Sequence, residues 1–174
     1  MENVNRRPLA LALTVAGALA RLAPHPWNFA PVGGMSLFAG ARLRGWQAYL
    51  LPIVLMAVTD PLVGGYSRAT PLIYLSFMIN VWIGRRLRKS ESPLRIGAAA
   101  MLCSVQFFLL SNFGTWLAFG YAHTWAGFVQ CYTMALPFFA PTLVSDLLTT
   151  GVLFGLHAWL SRRVYTPERV PQTA

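Results

Sequence analysis

Residues 127–160 read GFVQCYTMALPFFAPTLVSDLLTTGVLFGLHAWL, and Asp146 is the only charged side chain among these 34 residues. Apolar runs of this length are typical of membrane-spanning helices. The rest of the chain has the same character, with 56% hydrophobic and 11% charged residues among 174 and a mean hydropathy of +0.51. Because soluble domains carry about 25% charged residues, this composition excludes a soluble globular enzyme and a disordered tail.

The 34-residue stretch is too long for one crossing, which needs about 20 residues, and Pro137 and Pro141 interrupt it. Proline breaks a helix in its interior but is tolerated in the first turn. We therefore predict a short helix or re-entrant segment over Gly127 to Leu136, and a transmembrane helix over Pro141 to Leu160. Asp146 would then lie about one and a half turns below the outer surface.

Five further apolar runs are bounded by charged residues, proline or glycine, and several are shorter than a full crossing. They are Pro8 to Ala23, Asn28 to Ala41, Trp46 to Asp60, Ala69 to Gly84 and Leu94 to Phe113. With the final stretch they predict an all-α membrane protein, a bundle of six transmembrane helices in one domain over residues 1–174.

Positive charge supports six crossings with both termini in the cytoplasm. This topology leaves only Arg21 and Arg68 outside, whereas deleting the second and third spans would also move Arg42 and Arg44 outside. Because the cations lie in short breaks between apolar runs rather than on one folded face, the net charge of +9 does not indicate nucleic-acid binding. The predicted cytoplasmic cations are Arg6, Arg7, Arg42, Arg44, Arg85, Arg86, Arg88, Lys89, Arg95, Arg162, Arg163 and Arg169.

The N-terminus permits a second interpretation. Arg6 and Arg7, the apolar run that follows, and the small residues at 18–20 resemble a signal peptide with its cleavage site. The span count and charge balance favour retention of this segment as the first transmembrane helix.

The sequence carries no motif for catalysis or nucleotide hydrolysis. It lacks a Walker A loop, HExxH, CxxC and paired histidines at helical spacing. Cys103 and Cys131 lie in apolar stretches, so we expect buried thiols rather than a disulfide. We accordingly predict no enzyme activity, no catalytic residue, no cofactor and no metal site.

Polar side chains outside the cytoplasmic segments gather at the outer ends of the predicted spans. Ionisable groups in membrane segments usually face a bundle interior or a water-filled cavity, so these residues are candidates for an outer ligand site. The candidate ligand-binding residues are Asn28, Asp60, Asn112, Trp116, Tyr121, His123 and Asp146.

Two alternatives stay open for these residues. Asp60 and Asp146 either contact a ligand or form ion pairs, with Arg21 or Arg68 as the cation. The outer aromatic residues either form an interfacial belt or wall a pocket for a small, flat, partly polar molecule. These aromatic residues are Trp27, Trp116, Tyr121 and Trp125.

The first span carries small residues at helical spacing, with Ala12, Ala16 and Ala20 on one face and Gly17 beside them. Faces of this kind let helices approach closely within a membrane. The partner is either another helix of this chain or a separate membrane subunit.

The size, the six spans and the alanine face resemble the S components of energy-coupling-factor (ECF) transporters. Three strings also resemble an uncharacterised bacterial membrane family grouped with S components: RLAPHPWNFAPVG at 21–33, NFGTW at 112–116 and CYTMALPFF at 131–139. S components often open the last helix with a Pro-Gly-Asp-like turn. Here the nearest match runs from Pro141 to Asp146 with extra residues between them.

The resemblance implies a subunit that captures a vitamin or similar nutrient at the outer face and topples in the membrane. The alanine face would dock on a transmembrane coupling subunit that carries two ATPases, which drive the motion. Two other hypotheses stay open. One is a structural or accessory subunit of a larger membrane complex, since fold does not fix function. The other is an intramembrane enzyme or metal carrier that uses His25, His123, Asp60 or Asp146.

Overall fold

The computed structural model describes residues 6–24 and 28–164. These ranges form six α-helices and contain no strand, so the all-α prediction is confirmed. The helices are α1 (Arg7–Ala20), α2 (Val32–Arg42), α3 (Gln47–Val63), α4 (Thr70–Arg86), α5 (Pro93–Ala118) and α6 (Trp125–Val164).

The predicted interruption of the last stretch is wrong, because α6 runs as a single helix of 40 residues through Pro137 and Pro141. Each proline removes one N–H donor, but neighbouring helices and hydroxyl side chains allow a helix in a bundle to continue past it. Asp146 therefore lies 21 residues after the first residue of α6, near the middle of the helix rather than close to its outer end.

Helix α2 is the centre of the bundle. Every residue from Val32 to Ala41 is buried, and α2 contacts each of the other five helices. Its 11 residues rise only about 16 Å. The other helices surround it, so its polar backbone is shielded by protein along its whole length.

Glycine allows α2 and α4 to approach with their backbones nearly in contact. A Cβ atom added to Gly40 would overlap the carbonyl oxygen of Val81, and one added to Gly84 would overlap that of Leu37. On α1 the packed face is formed by Leu13 and the smaller residues Ala10, Thr14, Gly17 and Ala18, and Gly17 lies against Met35. Helix packing by small residues is typical of membrane bundles.

The connections divide the bundle into two ends. The basic end comprises the start of α1, the α2–α3 and α4–α5 connections and the end of α6. The opposite end comprises the other three connections and holds Arg21 and Arg68 among the described cations. Arg169 lies outside the described residues.

Among the described residues, α5 and α6 are long and apolar enough to cross a membrane. Helices α1 and α3 are shorter apolar helices of 14 and 17 residues.

We expect Gly84→Ala to lower the free energy of unfolding by about 3 kcal/mol, because the added methyl group forces α2 and α4 apart. Gly97→Ala is the matched control, since a Cβ at Gly97 meets nothing within 4 Å. That change should raise stability by up to about 1 kcal/mol through helix propensity. Unfolding of the purified full-length protein in detergent measures both variants, and equal effects would contradict the proposed α2–α4 contact.

Candidate ligand-binding cavity

The first turn of α2 meets the middle of α6 at Asp146. The Asp146 carboxylate accepts a hydrogen bond from Ser104 Oγ at 2.7 Å and another from the backbone N–H of Gly34. A Cβ added to Gly33 would overlap the same carboxylate. Asp146 is 2% exposed, and the positive end of the α2 dipole favours its negative charge. Glycine at 33 is thus required for the carboxylate to reach the helix terminus.

The residues before α2 are not helical, and α6 satisfies their backbone. Thr142 Oγ1 donates to the carbonyl oxygen of Asn28 at 3.2 Å, and Ser145 Oγ donates to that of Ala30 at 2.9 Å. Asn28 adopts a positive φ of 57°. Thr142, Ser145 and Asp146 lie on one face of α6 because their spacing matches the helical repeat. This face holds residues 28–34 in place.

A cavity of about 230 Å³ lies between this segment, α4, α5 and α6. An adjoining cavity of about 90 Å³ shares Asn28, Phe107 and Thr142 with it and reaches Asp146. Their combined volume is slightly above the lower limit of ~300 Å³ that is typical of ligand pockets. The larger cavity has aromatic and uncharged polar walls, formed by Asn28, Ile73, Phe107, Phe108, Ser111, Asn112, Thr115, Ala135, Phe138, Phe139 and Thr142.

A partly buried polar pair lies on the two helices that contribute Phe77 and Phe107 to the cavity wall. The two rings stack with centroids 5.1 Å apart. Gln106 Nε2 donates to Asn80 Oδ1 at 2.5 Å and to the backbone carbonyl oxygen of Ser76 at 2.9 Å. Asn80 is fully buried. Polar groups of this kind in apolar helices are costly and usually mark a functional interior.

Sequence analysis missed Asn80, Ser104 and Gln106. Their signal was a polar residue inside an otherwise apolar run, the same signal that identified Asp146.

Three of the predicted ligand-binding residues line these cavities: Asn28, Asn112 and Asp146. The amide of Asn112 donates to the carbonyl oxygen of Phe108 on its own helix at 2.8 Å. Asp146 has a hydroxyl and a backbone amide as its partners, so the ion-pair alternative is not the one observed for this residue.

Asp60 lies away from the cavities and forms an ion pair with Arg21 at 2.8 Å. It also accepts a hydrogen bond from the Tyr74 hydroxyl. The ion-pair alternative is therefore the one observed for Asp60, and the pair ties the end of α1 to α3 and α4.

Trp116 and His123 pack together where α5 and α6 meet, outside the residues that line the cavities. Their ring centroids are 5.2 Å apart, and Trp116 Nε1 donates to the carbonyl oxygen of Ala122 at 3.0 Å. Tyr121 lies in the same connection. Trp125 is 77% exposed, as an interfacial belt requires. Phenylalanines wall the cavity instead of tryptophans, and Trp27 lies outside the described residues.

The residues proposed for an enzyme or metal carrier do not converge within the described ranges. Asp60 contacts Arg21, Asp146 contacts Ser104 and His123 contacts Trp116. In residues 6–24 and 28–164 no group of three His, Cys, Asp or Glu side chains is placed to hold a metal ion. Cys103 and Cys131 are free, buried thiols, and His25 lies outside these ranges.

Of three comparisons with known proteins, one finds a match, which is to a family model. Neither a curated protein nor a solved structure matches it. A family model, described as a family of unknown function (DUF6580), matches residues 2–171. Since this match covers nearly the whole chain, the protein belongs to the DUF6580 family.

Proposed function

We propose that this chain is an S-component-like membrane subunit that binds a small nutrient, such as a vitamin, at the outer face for ATP-driven uptake by partner subunits. The cavity between α4, α5, α6 and residues 28–31 is the observation that carries the proposal. It lies at the end of the bundle opposite the cations, which is the outer end under the positive-inside rule.

Exposed apolar surface supports a multi-pass protein of the bacterial inner membrane. Large apolar side chains face outward along α3, α5 and α6, and soluble proteins rarely expose contiguous apolar patches of this extent. On α3 these side chains recur every four residues, at Leu50, Val54, Val58 and Leu62. On α6 they include Val144, Leu148, Val152, Leu156 and Trp159.

Aromatic side chains at the basic end support the same placement. The guanidinium carbon of Arg86 lies 4.5 Å from the Trp82 ring centroid, and that of Arg163 lies 5.6 Å from the Trp159 centroid. Both tryptophans are at least half exposed. Tryptophan and arginine at helix ends are typical of a membrane interface. Six crossings with cytoplasmic termini would place these pairs at the inner surface.

The cavity walls favour a small, flat, uncharged ligand. The phenylalanine rings offer flat apolar faces, while Asn28, Ser111 and Thr142 offer polar groups at a few positions. Among the residues that the structure describes, no charged side chain lines the larger cavity. The Asp146 carboxylate at the adjoining cavity suits a hydrogen-bond donor at one edge of the ligand.

The alanine face of α1 supports docking on a separate subunit. Ala12, Ala16 and Ala20 are all exposed, whereas α1 packs on the bundle through its other face. Packing within the chain therefore does not use these alanines. In the proposed function they contact a transmembrane coupling subunit that carries the ATPases.

The cavity also bears on the alternative of an accessory subunit in a larger complex. That alternative predicts an outer cavity filled by the protein's own side chains. The cavity of about 230 Å³ favours ligand binding over it.

Accessibility of introduced cysteines tests the topology. We expect Ser67→Cys and His123→Cys to react with a membrane-impermeant maleimide in intact spheroplasts, and Arg44→Cys and Lys89→Cys to react only after permeabilisation. The wild type is the control, since its two cysteines are buried. Labelling of Arg44→Cys and Lys89→Cys from opposite sides would contradict six crossings.

Ligand binding is tested by thermal shift of the purified protein against a panel of vitamins and nucleobases. We expect at least one compound to raise the melting temperature. Thr142→Val should weaken its binding roughly fivefold, because this change removes the hydrogen bond that holds Asn28 at the cavity wall. Thr133→Val is the matched control, because Thr133 is exposed on the same helix and does not line the cavity. Equal loss in both variants, or no stabilising compound, would contradict the assigned site.

Docking is tested by Ala16→Trp in cells that express the coupling subunit and ATPases. We expect this variant to lose co-purification with them and to bind the ligand as the wild type does, because the face is remote from the cavity. Ala98→Trp places the same side chain at an exposed position of α5 and should retain the partners. Co-purification of Ala16→Trp at the wild-type level would refute the docking face.

A further inference from the structure

The basic end contains a second cavity, of about 430 Å³, that the proposed transport function does not use. Three separate segments bring cations to it, from the start of α1, the α2–α3 connection and the α4–α5 connection. Glu91 is the only carboxylate that lines it among the described residues. The cations are Arg6, Arg7, Arg42, Arg44, Arg88 and Lys89. This excess of positive charge suits an anion.

Backbone carbonyl groups, rather than carboxylates, orient two of these cations. Arg88 Nη2 donates to the carbonyl oxygen of Leu43 at 3.2 Å, and Arg42 Nη2 donates to that of Ser90 at 3.5 Å. The buried Nε of Arg42 has no hydrogen-bond partner among the described residues. Burial, together with the nearby charges of Arg85 and Arg44, lowers the pKa of Arg88. A bound anion would relieve this repulsion.

An apolar groove of about 350 Å³ opens beside this cavity, between the inner ends of α5 and α6. Ile96, Leu147 and Phe154 line it together with glycines, and Thr150 and Arg162 add polar groups to the lining. A Cβ atom added to Gly151 or Gly155 would meet nothing within 4 Å, so both glycines border open space.

Arg42 connects the groove with the basic cavity, because it lines both of them. Its guanidinium carbon lies 5.0 Å from the ring centroid of Phe154. Glu91 lines both spaces as well. A single ligand can therefore occupy the cavity and the groove at once if one part is anionic and the other apolar.

We propose that the basic cavity and this groove together bind an anionic phospholipid of the inner leaflet, with the phosphate among the arginines and one acyl chain along Gly151 and Gly155. The proposal rests on the membrane placement above but not on nutrient transport. A free phosphate would use only the cavity and leave the groove without a role. Basic pockets between helices on the cytoplasmic side are suited to anionic headgroups, and arginine matches phosphate geometry.

Native mass spectrometry of the full-length protein in detergent tests the proposal with phosphatidylglycerol and phosphatidylcholine of identical acyl chains. We expect phosphatidylglycerol to bind at least tenfold more tightly, and inorganic phosphate at equal concentration to displace little of it. Equal binding of the two lipids would overturn the headgroup assignment. Full displacement by inorganic phosphate would show a phosphate site without a lipid and would overturn the proposal.

Two variants with matched controls separate the headgroup and chain contributions. Arg44→Gln combined with Lys89→Gln changes only exposed side chains and should weaken phosphatidylglycerol binding roughly tenfold or more. Arg95→Gln removes an exposed cation that does not line the cavity and should have little effect.

Gly155→Leu should weaken binding of phosphatidylglycerol at least fivefold by filling the groove, without disturbing the core. Ala98→Leu adds a similar side chain on an exposed part of α5 outside the groove and should bind as the wild type does. If Gly155→Leu retains full affinity, the acyl chain does not lie in this groove. Nutrient binding, measured separately at Thr142, should be unchanged in Gly155→Leu, so failure of either proposal can be recognised independently.

Discussion

Contact between helix backbones at glycine is the constraint on which the bundle depends. Gly40 and Gly84 let α2 and α4 meet where a methyl group would overlap a carbonyl oxygen. At Gly34, α2 also lies close to α6, since an added Cβ would be 2.8 Å from the backbone nitrogen of Thr150. Lipid offers no hydrophobic drive for helix association, so close packing has to supply it. The short α2 can occupy the centre only because its neighbours approach this closely, and the positions of the other helices follow from that placement.

A short central helix leaves the backbone before it without helical hydrogen bonds. Irregular backbone inside a helix bundle is tolerated where protein groups satisfy its hydrogen bonds or where it lines a cavity, and both conditions hold for residues 28–31. The hydroxyls of Thr142 and Ser145 donate hydrogen bonds to two carbonyl oxygens of this segment. The cavity is thus a consequence of how α2 begins, and the α2 terminus in turn stabilises the Asp146 carboxylate.

Sequence reasoning succeeded where local composition determines the structure. Apolar runs and the charges between them predicted six helices and the gathering of cations at one end, because both properties are set within about 20 residues. Continuation of α6 through Pro137 and Pro141 was not predictable in this way, since it depends on neighbouring helices. The ion pair between Asp60 and Arg21 could be predicted as an alternative, because few cations lie at the end of the bundle opposite the basic end.

The cavity shows why the site was harder to predict than the fold. For Asp146 the sequence left a ligand contact and an ion pair open. The structure shows a hydrogen bond from Ser104, 42 residues away, and a serine in an apolar run has no evident partner before the helices are packed. Phenylalanines wall the cavity, and in a chain with 11 of them a phenylalanine signals lipid contact and core packing equally. Tryptophan was a candidate for the pocket wall because it is rarer and carries a polar N–H at one edge. The same N–H also favours an interfacial position, so tryptophan does not identify a pocket. A cavity built from common apolar residues can therefore be recognised only once the packing of the helix backbones is known.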